Sequence, residues 1–478
     1  MTVQSKKVGS LSGQPEGFPI FFLTEMWERY GFYVIQSLLI FYLVDELHIN
    51  DTLSYVTVGS FTALSYINCF IGGIIADRLL GSSRSILLGG ALLFFGYTLL
   101  GIHSGLFGLD IALSIISIGT GFLKPNTSEL LSILYNDENK KESGYTLYYV
   151  GIYVGAISGS FIGGYLQRKF GWQLAFASSA VGALFSIVTF WYGAKRYKLF
   201  DTRLRHITIF NYLCTFLIVM LLIIVCYFVL HSDVLGMTYF ILVGIACLLF
   251  LIYTIINNHG LHRRKLIAFL LLIILSVFYW GIYFQQFFTI SLCIERAGKF
   301  GVPSSVFPAI ESLGIILFGP VINAVWKYFQ SRGVNISVPT RFSIGFLFNA
   351  LGFLFITIGL CYASKTPQYI NPIVIIVAYL LIAIGELGLS PTSLSMVTTL
   401  VPPRFSSAMM GISLLSIGFG GKLAGILAGD ATISEKHSLL EIEINYIHAF
   451  LKYFIISILA FIVVLILNRY IKKLISGS

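Results

Sequence analysis

Glu25-Met26-Trp27-Glu28-Arg29-Tyr30 interrupts a segment, Pro19 to Val44, that is otherwise apolar and aromatic. On an α-helix, residues three and four apart are neighbours, so Glu25, Glu28 and Arg29 share one face. A charge at the centre of a bilayer costs at least about 2.5–3.5 kcal/mol on insertion scales. Two acids and a base on one stripe therefore do not face lipid. They face a polar interior, and that interior is where substrate and protons are expected.

The rest of the chain reads as lipid-embedded. Of its 478 residues, 57% are hydrophobic and 11% charged, with a mean hydropathy of +0.87; a soluble domain carries about 25% charged residues. Apolar runs of about 20 residues give fourteen spans, at 18–44, 53–77, 85–103, 107–135, 143–166, 172–193, 207–230, 235–257, 266–294, 303–326, 342–362, 370–400, 405–429 and 446–468. The expected class is an all-α polytopic membrane protein. The first sixteen residues are polar, with Lys6 and Lys7 and no apolar core, so the first span itself is expected to be the anchor rather than a cleaved signal peptide.

The net charge of +10 follows this topology. With both termini inside, 21 Lys and Arg fall on the inner side and six outside, while Arg29, Lys124, Lys422 and Lys452 lie within spans. That bias places both termini in the cytoplasm of a cell whose inner (plasma) membrane holds the protein. It also removes nucleic acid as a reason for the positive charge. Cys69, Cys214, Cys226, Cys247, Cys293 and Cys361 all sit in apolar spans without a CxxC pair, and no HExxH or histidine cluster exists. They read as small buried hydrophobes, and no metal or other cofactor is expected.

Basic stretches at 195–206 and 262–265 flank two spans that carry no Lys, Arg or Glu. The expected organisation is a cytoplasmic tail (1–17), six helices (18–193), a linker with two extra peripheral helices (194–265), six helices (266–468) and a second cytoplasmic tail (469–478). Gly151, Gly155, Gly159, Gly163 and Gly164 recur at nearly four-residue spacing on span five; Gly418, Gly420, Gly421 and Gly425 do so on span thirteen. Small residues at i, i+4 let helix backbones approach closely in lipid.

Further polar groups break apolar spans: Lys124 on span four, Gln285-Gln286 on span nine, Glu311 eight residues into span ten, Glu386 on span twelve and Lys422 on span thirteen. Ionisable groups from both halves are expected to line one polar cavity. Pro125 and Pro391 each follow a polar or ionisable group, where a bend suits a gate. Gly420-Gly421-Lys422-Leu423 lacks the earlier glycine and the following Ser or Thr of a phosphate-binding loop, so an ion or solute gradient rather than ATP is the expected energy source.

Gly72-Gly73-Ile74-Ile75-Ala76-Asp77-Arg78-Leu79-Leu80-Gly81-Ser82-Ser83-Arg84 resembles the signature loop of the major facilitator superfamily, with Asp77, Arg78 and Arg84 as gate residues. Asp77 is expected to accept bonds from helix-end amides or to pair with a base. Taken with the ExxER signature at Glu25, Glu28 and Arg29, Phe122-Leu-Lys-Pro-Asn126, Tyr148-Tyr149-Val-Gly-Ile-Tyr-Val-Gly-Ala156, Trp280 with Gln285-Gln286, and Gly385-Glu-Leu-Gly-Leu-Ser-Pro-Thr-Ser-Leu-Ser-Met-Val397, the chain resembles the proton-dependent oligopeptide transporter family. The likeness covers nearly the whole length and implies the major facilitator fold, two six-helix bundles plus a two-helix insert.

The resemblance implies roles. Arg29 and Lys124 attract a peptide carboxylate, Glu386 holds the amino group, Tyr33 and Tyr66 line the pocket with Ser390 nearby, and Glu25 and Glu28 take and release the coupling proton. A carboxylate beside Arg29 is held ionised until a substrate carboxylate competes for the guanidinium. Several pocket positions depart from the pattern: Gln36 replaces a base, Tyr153 an Asn, Phe284 an acid, Glu311 an Asn, Ser413 a Trp, and Lys422 a neutral residue. The charge count is kept while the charges move, and Glu311 is expected to partner Lys124 in proton coupling. The implied function is proton-coupled import of small peptides by a monomer, with a peptide or peptide-like substrate, protons and the bilayer as its partners. A modified amino acid, peptide-derived metabolite or organic anion is the alternative on the same fold. A membrane enzyme lacks a nucleophile–base pair here; a channel or a non-transporting receptor would show no saturable, pH-driven uptake.

Overall fold

The structure is a computed structural model that describes residues 14–102, 105–135, 138–201, 207–334, 336–366, 368–402, 405–433 and 438–476. Most of the 1–17 tail, with Lys6 and Lys7, lies outside the described residues, as do Arg203, Arg205 and Arg404. The described residues form fifteen α-helices: α1 Phe18–Phe41, α2 Asp51–Ile75, α3 Ser82–Ile102, α4 Leu106–Ile133, α5 Glu138–Phe170, α6 Trp172–Arg196, α7 Ile209–His231 and α8 Asp233–Ile256. They continue with α9 Gly260–Tyr283, α10 Thr289–Ala297, α11 Pro308–Ser331, α12 Val338–Lys365, α13 Pro372–Leu400, α14 Ser406–Ala428 and α15 Leu439–Ser476. Thirteen helical segments are long and apolar enough to cross a bilayer, with α9 and α10 falling in one of them, Gly260–Ala297. The 24 residues of α1 reach about 36 Å at 1.5 Å per residue, enough to span in spite of the three charges.

The chain divides into two compact units. The first runs to Leu38 and resumes over Leu64–Phe228; the second takes Leu39–Ala63 and Val229–Ser478. The two helices between the basic stretches divide accordingly. In the first unit, Asn211 on α7 donates to the Leu79 carbonyl (3.1 Å). In the second, α8 places Phe240 against Lys422 and Gly244 beside Phe419. Both helices are largely exposed, with Ile209, Phe210, Leu213, Leu242 and Leu249 among their outward side chains, as lipid-facing helices are.

Glycine sets how closely the helices approach. On α5, a Cβ at Gly155 would lie 2.9 Å from Arg29 Cβ and 3.0 Å from Tyr30 N, and one at Gly159 would lie 3.1 Å from Val34 N. The stripe on α5 is thus the bed on which α1 lies. Pro125 sits inside α4 and has no N–H, so the Gly121 carbonyl loses its helical donor. That carbonyl points at Gly72 on α2, where a Cβ would come 2.6 Å from the carbonyl carbon. The first glycine of the Gly72–Gly81 stretch is therefore needed for helix contact.

Two expected boundaries are corrected. The ninth span is not continuous: α9 ends at Tyr283, a 3-10 turn covers Phe284–Phe287, and α10 begins at Thr289. Side chains make up for the broken backbone ladder. Gln285 Nε2 donates to the Ala424 carbonyl (2.9 Å), Thr289 donates to Gln285 Oε1 (2.9 Å), and Ser291 (2.7 Å) and Tyr379 (3.0 Å) donate to the Gln286 carbonyl. Irregular backbone persists at membrane depth only with such partners. Glu311, expected well inside its span, stands in the first turn of α11, because Pro308 starts that helix after a separate 3-10 turn, Ser304–Val306.

Candidate functional site

The polar groups in the spans form two clusters, one in each unit. The first is built on α1. Glu25 and Glu28 are fully buried and Arg29 is 2% exposed. The opposite face of α1 presents Met26, Trp27 and Tyr30 to an open crevice of about 370 Å³ whose lining carries no charged residue. The helical phase read from the sequence thus separates a charged inner face from an apolar outer one.

Within the charged face the two acids are held differently. Arg29 Nη2 donates to Glu28 Oε1 at 2.6 Å and Nε donates to Glu28 Oε2, a two-toothed grip. Glu25 Oε1 lies 3.7 Å from Arg29 Nε, an ion-pair distance beyond a good hydrogen bond. The guanidinium also lies 4.6 Å from the Phe32 ring centre. From α4, Lys124 sets its ammonium 4.9 Å from the ring centre of Tyr66 on α2 and acts through space on Glu25. Glu25, Glu28 and Arg29 are buried together, with Lys124 half-buried. One turn further along α1, half-buried Tyr33 lies edge-on to Phe32 at 5.8 Å, and two turns along, Gln36 is buried. Tyr153 is half-buried on α5.

The second cluster is built around a phenol. The Tyr283 hydroxyl at the end of α9 stands 2.7 Å from Glu386 Oε2 on α13 and 3.1 Å from Glu311 Oε1 on α11. Ser312 Oγ lies 3.3 Å from Glu311 Oε2. Glu311 is 1% and Glu386 6% exposed. Phe284 begins the helix break and packs its ring 5.9 Å from Trp280 and 5.5 Å from Tyr283. Ser390 is half-buried one turn after Glu386. Lys422, read from sequence as a pocket base, donates to Ser60 Oγ at 2.8 Å and lies 5.3 Å from the Phe240 ring centre. Its ammonium is thus engaged by α2 and α8.

The gate residues lie apart from both clusters. Asp77 and Arg78 are exposed in a wide helical turn, Ala76–Leu80. The expected side-chain cap by Asp77 is not formed among the described residues. Gly81, at φ +78°, turns the chain so that its own N–H closes on the Ala76 carbonyl at 2.8 Å. Arg84 Nη1 reaches the Leu80 carbonyl at 3.4 Å, and Ser82 ties the loop to α4 through Glu129 at 2.9 Å. Pro125 and Pro391 lie inside α4 and α13, which continue through them.

Sequence reasoning missed Tyr283, Ser60 and an ion pair at the start of α2. Arg296 Nη1 and Nη2 grip Asp51 at 2.7 Å each, Arg296 also donates to Tyr446 (3.3 Å), and the Ile433 N–H donates to Asp51 (3.0 Å). The Tyr279/Tyr283 spacing of four residues, with hydroxyls on one helical face beside Gln285-Gln286, was the available signal for the first.

Known proteins share this architecture. The dipeptide and tripeptide permease A of Yersinia pestis is 29% identical over 459 residues, covering 93% of this chain and 90% of the relative. A di-/tripeptide transporter of Lactococcus lactis is 28% identical over 440 residues, covering 84% of this chain and 87% of its own. A solved structure from work on substrate recognition in proton dependent oligopeptide transporters superposes with a TM-score of 0.83 at 25% identity, over 96% of this chain and 99% of the other. The expected all-α fold of the major facilitator type therefore holds. With the model of the POT family matching residues 83–441, and with the charged first helix and the broken ninth span in place, the chain belongs to the POT family.

Proposed function

We propose that this protein is a proton-coupled symporter that imports small peptides, di- and tripeptides or similar zwitterions, by alternating access across an inner membrane, with both termini in the cytoplasm. The observation that carries the mechanism is the unequal hold of Arg29 on its two acids: a two-toothed grip on Glu28 and a 3.7 Å approach to Glu25. A substrate carboxylate attracted by Arg29 and Lys124 competes for the guanidinium. Glu25, already the more loosely held acid, then loses cationic support and takes a proton. Substrate anion and proton therefore favour each other's binding, which is the reciprocity that coupling requires. Release of either weakens the hold on the other.

The substrate amine is assigned to Glu386, and Tyr33, Gln36, Tyr66, Tyr153 and Ser390 shape the space around the peptide. The family names of the relatives support this substrate class, and the cycle draws on protons with no other cofactor. The moving parts are assigned to the 18–193 and 266–468 helices, with 194–265 peripheral, in a functional monomer. Uptake of dialanine into proteoliposomes under an imposed inward proton gradient tests the proposal. Wild type should accumulate substrate above the external concentration. Arg29→Ala and Lys124→Ala should abolish that accumulation, and intact uphill uptake in either would overturn the coupling scheme.

A further inference from the structure

We propose that the crevice behind the charged face of α1 seats one acyl chain of a bilayer lipid, held against Met26, Trp27 and Tyr30 between α5 and α6. The site takes lipid rather than solute, and it is independent of the transport reading. The recess, about 370 Å³, lies wholly within the first unit. Its shape comes from glycine. A Cβ at Gly155 on α5 would lie 2.9 Å from Arg29 Cβ, and one at Gly182 on α6 would lie 2.7 Å from Tyr30 Cδ1. Both helices therefore come down onto α1, and neither sends a side chain into the space at these two positions. The Trp27 ring leans on that of Phe185, 4.9 Å away, at one side of the recess.

Depth in the membrane identifies the ligand. Residues 26–30 of α1 and 178–185 of α6 lie around the middle of their helices, Phe18–Phe41 and Trp172–Arg196. The hydrocarbon core of a bilayer is about 30 Å thick, with the headgroups outside it, so a recess at mid-span opens on chains and not on headgroups. Its mouth continues the lipid-facing surface. Ile162, Val181 and Phe185 at the edge are exposed, and so are Phe161, Leu184 and Val188 beside them on the same helices.

The chemistry of the walls agrees. Among the described residues no charged side chain lines the recess. Its hydroxyl protons are spent inside the protein: Tyr30 donates to Ser178 Oγ (2.9 Å), Ser178 to the Ala175 carbonyl (2.6 Å) and Ser158 to the Val154 carbonyl (2.7 Å). A charged ligand would be desolvated there without an ionic partner; a hydrocarbon chain gives up nothing. Size excludes a bulkier occupant. An α-helix about 10 Å across with a pitch of about 5.4 Å takes about 420 Å³ per turn, more than the whole recess. A neighbouring helix or a second copy of this chain would lie over the mouth without filling it, whereas a single alkyl chain enters. The seated chain backs the helix whose other face carries Glu25, Glu28 and Arg29.

Photolabelling of the purified full-length protein in phosphatidylcholine nanodiscs tests the assignment. The probe is a phosphatidylcholine with a diazirine halfway along one acyl chain. Adducts are expected on Met26 or Trp27 in the recess and on Leu184 and Val188, which meet bulk lipid. Ser158→Phe puts a ring into the recess and should cut the α1 adducts at least fivefold while Leu184 and Val188 stay labelled. A second probe, with the diazirine beside the ester, should leave Met26 and Trp27 unlabelled in wild type, and this reading decides the matter should Ser158→Phe fail to fold. Absence of α1 adducts beside a labelled Leu184, which a covering second copy would also produce, would overturn the proposal. So would α1 adducts undiminished in folded Ser158→Phe, or equal α1 labelling by the two probes.

Discussion

The cluster around Arg29 and the cluster around Tyr283 use the same side chain, a buried glutamate, against different partners. In the first unit Arg29 grips Glu28 with two hydrogen bonds and stands 3.7 Å from Glu25. In the second unit Glu311 and Glu386 both lie within hydrogen-bond distance of the Tyr283 hydroxyl, and Ser312 stands beside Glu311. Burial is common to both clusters, so what separates them is the bond that a glutamate accepts: from a guanidinium in the first, from a phenol in the second.

The largest effect expected is from Arg29→Ala. It removes the two-toothed grip on Glu28, and breaking a buried ion pair from one side costs about 3–5 kcal/mol; gradient-driven uptake should fall to background. Arg29→Lys, assayed the same way, keeps the charge and loses the two-toothed geometry, so recovery of full coupling by lysine would mean that charge alone matters. Next, Glu28→Gln should lower the thermal unfolding midpoint much more than Glu25→Gln, because Glu28 makes two charge-assisted hydrogen bonds and Glu25 makes an ion pair at 3.7 Å. Equal midpoints would erase the asymmetry on which Glu25 was chosen as proton acceptor. Tyr283→Phe should cost about 1–3 kcal/mol, as loss of a buried donor does, and should flatten the pH profile of uptake for substrates with a free amine. The smallest change is expected from Lys422→Gln, since its ammonium is bonded to Ser60. It should leave the pH midpoint of uptake where it was, and a shift as large as that of Glu311→Gln would tie Lys422 to the Tyr283 cluster and end the comparison.

Much of this was legible in the sequence because it is local. Three charges spaced three and four apart on an apolar helix fix an inner face without any tertiary knowledge, and Glu25, Glu28 and Arg29 are buried together as read. The glycine stripe from Gly151 to Gly163 marked a close-packing face on α5 for the same reason, while its partner, α1, shows only in the structure. What could not be read depends on distant pairings. Hydropathy averaged over a span does not register a single irregular turn, so Phe284–Phe287 passed as helix. Tyr283 joins residues 28 and 103 positions away, and nothing in its neighbourhood names Glu311 or Glu386. Lys422 looked like a displaced pocket base, since sequence spacing does not reveal Ser60 or Phe240 as its neighbours. Asp51 and Arg296, 245 positions apart, carry no local signal, although they hold α2, α10, α15 and the Ile433 segment together in the second unit.

Gly72 and Pro125 belong to different helices and touch neither solute nor proton, yet each exists on the other's terms. The imino acid strands an oxygen, and the missing side chain opposite gives it room. Gly73, one place along, has open space where a methyl would go. Drift during evolution should accordingly be free at position 73 and correlated between 72 and 125. Diverged relatives would then carry the imprint of this crossing as paired replacements, recoverable from their sequences by covariance alone.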